Sequence, residues 1–176
     1  ADLIVLPGDL WQDDGILAST TEAACVLFFN QLALWTNDGA LVQLVMGIGN
    51  HERVSGGGTM GAIGVLSSLA FDPDAPYRHI DSTFRVNVGK ELAIIMINTG
   101  WTGSESDIAN QLGWIGDQID DAAATHRHIV VTGHSPAFGT SASHPGFDTA
   151  TYAKALRYDV WPLMTEHADK VRFANT

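Results

Sequence analysis

Three short apolar runs each end in glycine followed by a residue that can do chemistry. The runs are Leu3-Ile4-Val5-Leu6, closing on Pro7-Gly8-Asp9; Leu41 to Ile48, closing on Gly49-Asn50-His51-Glu52; and Ile129-Val130-Val131-Thr132, closing on Gly133-His134-Ser135-Pro136. A short apolar run without polar alternation reads as a strand covered on both faces. Polar groups that follow such strands gather at the rim of a sheet, and in open α/β sheets that rim is where ligands bind. A chain of this kind is therefore constrained to bring distant strand ends to one edge.

The segments between the runs set the fold class. Apolar residues fall at helical spacing from about Ile16 to Trp35, and Asn37-Asp38-Gly39 stops the helix. The first two runs then form a β-α-β unit, a parallel pair with a right-handed crossover. Residues 53–83, bracketed by Ser55-Gly56-Gly57-Gly58 and Asp72-Pro73-Asp74-Ala75-Pro76, read as a long loop with one short helix, or as a substrate-facing flap. Thr83 to Val88 and Glu91 to Asn98 read as a hairpin across Gly89-Lys90, the first arm alternating as a half-exposed strand and the second apolar as a central one. Asp107 to about Ala124 is helical, with Ile108, Leu112, Ile115 and Ile119 on one face. A buried strand over 128–134, a loop over 135–149, a helix from Tyr152 to His167 that Pro162 must kink or restart, and a short strand at Val171–Ala174 complete the chain. Strands alternating with helices make this α/β, with a mixed β-sheet core flanked by helices.

Composition narrows the function classes. With 176 residues, 45% of them hydrophobic, the chain can form a single domain over 1–176 with a substantial core. A formal net charge of −11 argues against a nucleic-acid-binding surface and against an electrostatic membrane anchor. It leaves room for a small phosphate-bearing substrate, because a bound metal reverses the local sign. Cys25, the only cysteine, lies in an apolar run and reads as a buried small hydrophobe, so no intrachain disulfide or thiolate cluster can form. No run reaches the ~18 apolar residues of a membrane span, and no signal peptide is visible. The abrupt opening at Ala1-Asp2 and ending at Asn175-Thr176 lead to the expectation that both ends are trimmed from a longer protein.

Asp9, Asn50 and His134 together offer a carboxylate, an amide oxygen and an imidazole, a donor set suited to Mn, Fe, Zn or Ni. A carboxylate can bridge two metals, and two-metal sites catalyse in-line displacement at phosphorus. Taken singly, Gly-Asp, Asn-His and Gly-His-Ser-Pro are ordinary turns. Their joint occurrence after three apolar strands is what points to a site.

Gly8-Asp9, Gly49-Asn50-His51-Glu52 and Gly133-His134-Ser135-Pro136 resemble the calcineurin-like metallophosphoesterases, nearest in flavour to the purple acid phosphatase-like members. Phe84 to Gly89 followed by Ile94 to Thr99 is similar to that family's middle hairpin, and Gln111-Leu112-Gly113-Trp114-Ile115 to its Gln-Leu-x-Trp-Leu helix, so the resemblance spans nearly the whole chain. It implies a four-layer αββα sandwich, incomplete at both ends. It implies hydrolysis of a phosphomonoester or phosphodiester by a metal-activated hydroxide at a dinuclear site holding two divalent or trivalent ions. Asp9 would bridge the ions, Asn50 and His134 would complete much of the second ion's shell, and His51 would face the phosphate as a stabiliser or proton donor. Glu52 would orient His51 or its loop, and His144 would be a further contact to substrate. The resemblance favours an extracytoplasmic or secreted location.

The departures from the family pattern are specific. The first motif, Asp-x-His or Asp-x-Gly, has no counterpart before Ala1, and the last, Gly-His-x-His, would begin where the chain stops after Val171 to Thr176. Purple members carry a metal-binding Tyr three residues after the bridging Asp, and here that position is Gln12, which does not support an Fe–Tyr centre. A rival expectation is therefore a degenerate, non-catalytic module serving as scaffold or binding domain in a larger extracellular or virion assembly. An α/β serine hydrolase is disfavoured, since Ser135 precedes Pro136 and lacks a Gly-x-Ser-x-Gly elbow. His126 and His128 read as surface residues; Asp13 and Asp14 as a solvated turn or supports near Asp9; Trp11 and Trp101 as pocket walls or packed aromatics.

Overall fold

The apolar runs form strands where their periodicity places them. A computed structural model describes residues 3–6, 43–47, 78–80, 83–99, 105–135, 137–138 and 151–175. In chain order these form β1 (Leu3–Leu6), β2 (Gln43–Met46), β3 (Arg78–Ile80), β4 (Thr83–Val88), β5 (Leu92–Met96), α1 (Glu105–Thr125), β6 (His128–Gly133), α2 (Thr151–Ala155), a π-helical turn (Leu156–Val160), α3 (Trp161–Thr165) and β7 (Val171–Asn175). The helical stretch expected over 16–35 lies outside the described residues.

β1 and β2 pair in parallel with Leu6 opposite Met46, as the β-α-β reading requires. The other described strands form one mixed sheet in the order β3-β4-β5-β6-β7. The β3–β4 and β4–β5 pairs are antiparallel, whereas the β5–β6 and β6–β7 pairs are parallel. The β4–β5 hairpin turns at Gly89, whose φ of 58° is a left-handed conformation that glycine adopts without the steric cost a Cβ would bring.

Side-chain alternation along β5 divides the core into two. Ala93, Ile95 and Ile97 join Ile115, Ile119, Ala122, Ile129, Val131, Leu156 and Val160, so one face of the sheet lies under α1 and the helical stretch that starts with α2. Ile94 and Met96 point the other way and pack with Val45 of β2 and Phe84 of β4, with Val5 of β1 against them. The described residues thus form an α/β arrangement in which helices cover one face of the mixed sheet, and residues of β1 and β2 pack with β4 and β5 on the other. Burial of this apolar surface at about 25 cal/mol per Å² is the main stabilising term.

Three sequence expectations need correction. The stretch up to residue 83 contains a strand, β3, where a loop was expected. Its three residues are too few for a period to show, and it exists because the edge of β4 offers backbone partners. The first hairpin arm does not alternate in burial: Thr83, Phe84 and Arg85 are all buried and the rest of β4 is half-buried, since the strand is covered on both faces at its start. His126 is buried rather than a surface residue, while His128 is exposed as expected.

His126 is enclosed because Arg85 is. Arg85 is 2% exposed; its Nε donates to Asn87 Oδ1 at 2.8 Å, and its Nη1 donates to Asp121 Oδ2 at 2.6 Å and Gln118 Oε1 at 3.2 Å. His126 Nδ1 lies 2.8 Å from Thr125 Oγ1 and 3.5 Å from Arg85 Nη2. A buried guanidinium is tolerated only with such partners, and this one ties β4 to the last turns of α1. Asp121→Asn replaces the carboxylate that Arg85 meets at 2.6 Å with a neutral acceptor. Its side chain is half exposed, at 55%, so solvent screening limits the loss to about 1–2 kcal/mol. Urea unfolding of the two proteins measures it.

Pro162 is accommodated without a break: the backbone stays helical from α2 through the π-helical turn into α3. It sits in the first turn of α3, where its missing N–H costs nothing. The residues before it widen into the π-helical turn, closed by Trp161 N–H donating to Leu156 O.

Candidate strand-end site

The structure places one proposed ligand directly. His134 follows β6, half-buried. Asp9, Asn50, His51, Glu52 and His144 lie outside the described residues, as do Cys25, Trp11, Asp13, Asp14 and Trp101. The strands that precede Asp9 and Asn50 in sequence are described. They end side by side, with Leu6 opposite Met46 and Gly47 N–H donating to Leu6 O at 2.7 Å. Among the described residues no group of three or more His, Cys, Asp or Glu is arranged to hold a metal ion.

The exit of β6 is tightly built. A Cβ on Gly133 would lie 2.6 Å from Thr99 Cγ2 and 3.0 Å from both Ile97 Cγ1 and Ile97 O. The glycine before His134 is therefore needed for close approach of the β5 and β6 exits. Ile97 N–H donates to Thr132 O at 2.8 Å, which prolongs the β5–β6 pairing past the end of β5. One residue beyond His134, Ser135 N–H donates to Thr99 Oγ1 at 3.0 Å. Farther on, Ala137 enters the helix-side core, and the Phe138 ring meets Trp161 edge-on with centroids 5.5 Å apart. Arg157, on the π-helical turn, has its guanidinium carbon 5.9 Å from the Phe138 ring centre.

Beneath this exit is a polar cluster whose burial and mutual bonds the sequence did not reveal, although Gln111 heads the Gln-Leu-x-Trp-Leu-like stretch. Gln111, 1% exposed on α1, donates through Nε2 to Asn98 O at 3.1 Å and accepts from the Thr83 hydroxyl. The same hydroxyl accepts Asn98 N–H at 3.0 Å. Gln111 stands one helical repeat before Ile115, on the apolar face of α1. A lone amide at a core-facing helix position is the signal that could have flagged it, because buried polar groups must find partners.

His167 carried no distinguishing context in sequence. It places its Nε2 2.8 Å from Asp120 Oδ1, linking the turn after α3 to α1, away from the core.

The chain matches no protein-family model, and no curated protein is similar enough to it to count as a match.

Proposed function

We propose that this domain hydrolyses phosphate esters with the help of two metal ions, as a calcineurin-like metallophosphoesterase. The observation that carries the reading is that three strands are each followed in sequence by a glycine and then a donor residue. Asp9 and Asn50 come three and four residues after strands that end in register, and His134 comes directly after a central strand of the mixed sheet. The donor set fits the group: a carboxylate able to bridge, an amide oxygen, and a half-buried imidazole whose neutral form is a common metal ligand. A helix over 16–35, outside the β1–β2 pair, would complete a four-layer αββα sandwich around the two packed sheets.

In this reading the ions, when bound, neutralise charge on the phosphate and lower the pKa of water. The chain's own groups do the rest. Asp9 would hold both ions, and Asn50 and His134 would hold the second. His51 would face the phosphate, where an imidazole can stabilise developing negative charge or give a proton to the leaving oxygen. Glu52 would orient His51, and His144 would contact the substrate.

The test is metal content together with hydrolysis of p-nitrophenyl phosphate and bis(p-nitrophenyl) phosphate by the Mn²⁺-loaded protein. Asp9→Asn is expected to weaken both ions at once by at least about tenfold, since even partners outside the ligand shell cost that much. Titration calorimetry with Mn²⁺ reads the loss. Wild-type protein that binds metal but hydrolyses neither ester would favour the scaffold reading, and protein that binds no metal would remove the proposal altogether.

A further inference from the structure

We infer that Thr99 is a positioning residue for His134, held in place by Gln111 and Thr83. Thr99 is 2% exposed and uses both branches of its side chain on the residues flanking His134. Its Cγ2 methyl lies 2.6 Å from the point a Cβ on Gly133 would occupy, and its Oγ1 accepts the Ser135 N–H at 3.0 Å. The methyl therefore packs beside the backbone before the histidine, in space a side chain at 133 would need, while the hydroxyl holds the backbone after it. A residue held on both sides has few directions in which to send its side chain.

Thr99 could not do this from a mobile loop. The residue before it, Asn98, has both backbone polar groups engaged: its N–H donates to Thr83 Oγ1 at 3.0 Å, and its carbonyl accepts Gln111 Nε2 at 3.1 Å. The Thr83 hydroxyl closes the ring by donating to Gln111 Oε1. Thr83, Asn98 and Gln111 are all at most 4% exposed, so water does not compete for these bonds. A buried network in which each of these bonds is made favours one arrangement of the backbone. The network therefore links β4 and α1 to the β5 exit, and through Thr99 to the β6 exit. Downstream, Ala137 and Phe138 anchor the same segment against the helices. Supports of this kind matter because a ligand side chain must be held within about half an ångström of its working position.

The part of this inference that concerns metal rests on the phosphoesterase reading; the part that concerns geometry does not. The experiment compares the full chain with Thr99→Val, which keeps the methyl and loses the hydroxyl, and Thr99→Ser, which does the reverse. Three quantities are measured: amide hydrogen exchange at Ser135, the His134 ring signals in the metal-free protein by NMR, and Mn²⁺ affinity by calorimetry. Thr99→Val is expected to speed Ser135 exchange at least about tenfold relative to strand amides of β5. It is also expected to shift or broaden the His134 ring signals, and to weaken Mn²⁺ binding about 10- to 100-fold. Thr99→Ser should restore the Ser135 protection. Unchanged Ser135 exchange and His134 signals in Thr99→Val would overturn the inference. So would acceleration spread evenly over β5 and β6, which is the mark of general destabilisation. If the wild type takes up no Mn²⁺, the phosphoesterase reading fails, while the exchange and ring signals still decide the role of Thr99.

Discussion

His51→Ala is expected to lower kcat for phosphoester hydrolysis by about 100- to 10,000-fold, the range for loss of one proton-transfer or charge-stabilising group. Metal content should stay at the wild-type level. The split between the two readouts follows from the proposed division of labour in Gly49-Asn50-His51-Glu52, where the amide of Asn50 holds an ion and the neighbouring imidazole works on the phosphate. Removing a group that acts on the transition state lowers kcat and kcat/KM together, whereas removing uniform binding raises KM alone. Steady-state kinetics with p-nitrophenyl phosphate, alongside elemental analysis, separates the cases. A variant that turns over at the wild-type rate would end the role given to His51. One that loses metal in proportion to activity would make it a ligand instead.

Gly133→Ala is expected to destabilise the domain by about 2–3 kcal/mol, at the upper end for overpacking a tight site. For a chain of this size that lowers the thermal midpoint by roughly 5–10 °C. The added methyl meets Thr99 Cγ2 at 2.6 Å and the Ile97 carbonyl oxygen at 3.0 Å. Threonine is branched at Cβ and stiff at χ1, and a backbone carbonyl cannot swing aside, so the two strand exits must separate. The cause can be isolated with a second change. Thr99→Ser removes the closest atom, so Gly133→Ala combined with Thr99→Ser should cost less than the sum of the two single changes, by about 0.5–1 kcal/mol or more. Simple additivity in denaturant unfolding would mean that the close approach is not what glycine serves here. His134 follows Gly133 directly, so Gly133→Ala should also weaken Mn²⁺ binding, which links packing to the proposed site.

Features of the chain were legible to different depths for identifiable reasons. β1, β2, β5 and β6 could be read from their mostly apolar runs, and β5, apolar throughout, feeds both cores, with Ala93 and Ile95 in one and Ile94 and Met96 in the other. The β4–β5 hairpin was legible from Gly89, and α1 from the spacing of Leu112, Ile115 and Ile119. β3 was not legible. Three residues carry no period, and its pairing depends on an edge made by residues that follow it. The burial of Arg85 and His126 was hidden for a related reason. Arginine and histidine read as surface residues until a partner is known, and Arg85 finds Asp121 and Gln118 only once α1 is laid across the sheet. In the candidate site, Asp9, Asn50, His51 and His134 stood out because each follows a strand-ending glycine. Thr83 and Thr99 did not, and Gln111 drew notice only as the head of a family-like helix motif, since small and neutral polar residues are common everywhere and these matter only through one another.

The sequence by itself determined the local periods, the turn at Gly89 and the order of donors after the strands. Each depends on residues within a few positions of one another, where backbone sterics and side-chain alternation act directly. Only the tertiary structure decided which polar residues are enclosed, why glycine must stand at position 133, and what holds the chain on either side of His134. Those outcomes depend on contacts between residues tens of positions apart, and no local pattern encodes a partner that folding alone brings near.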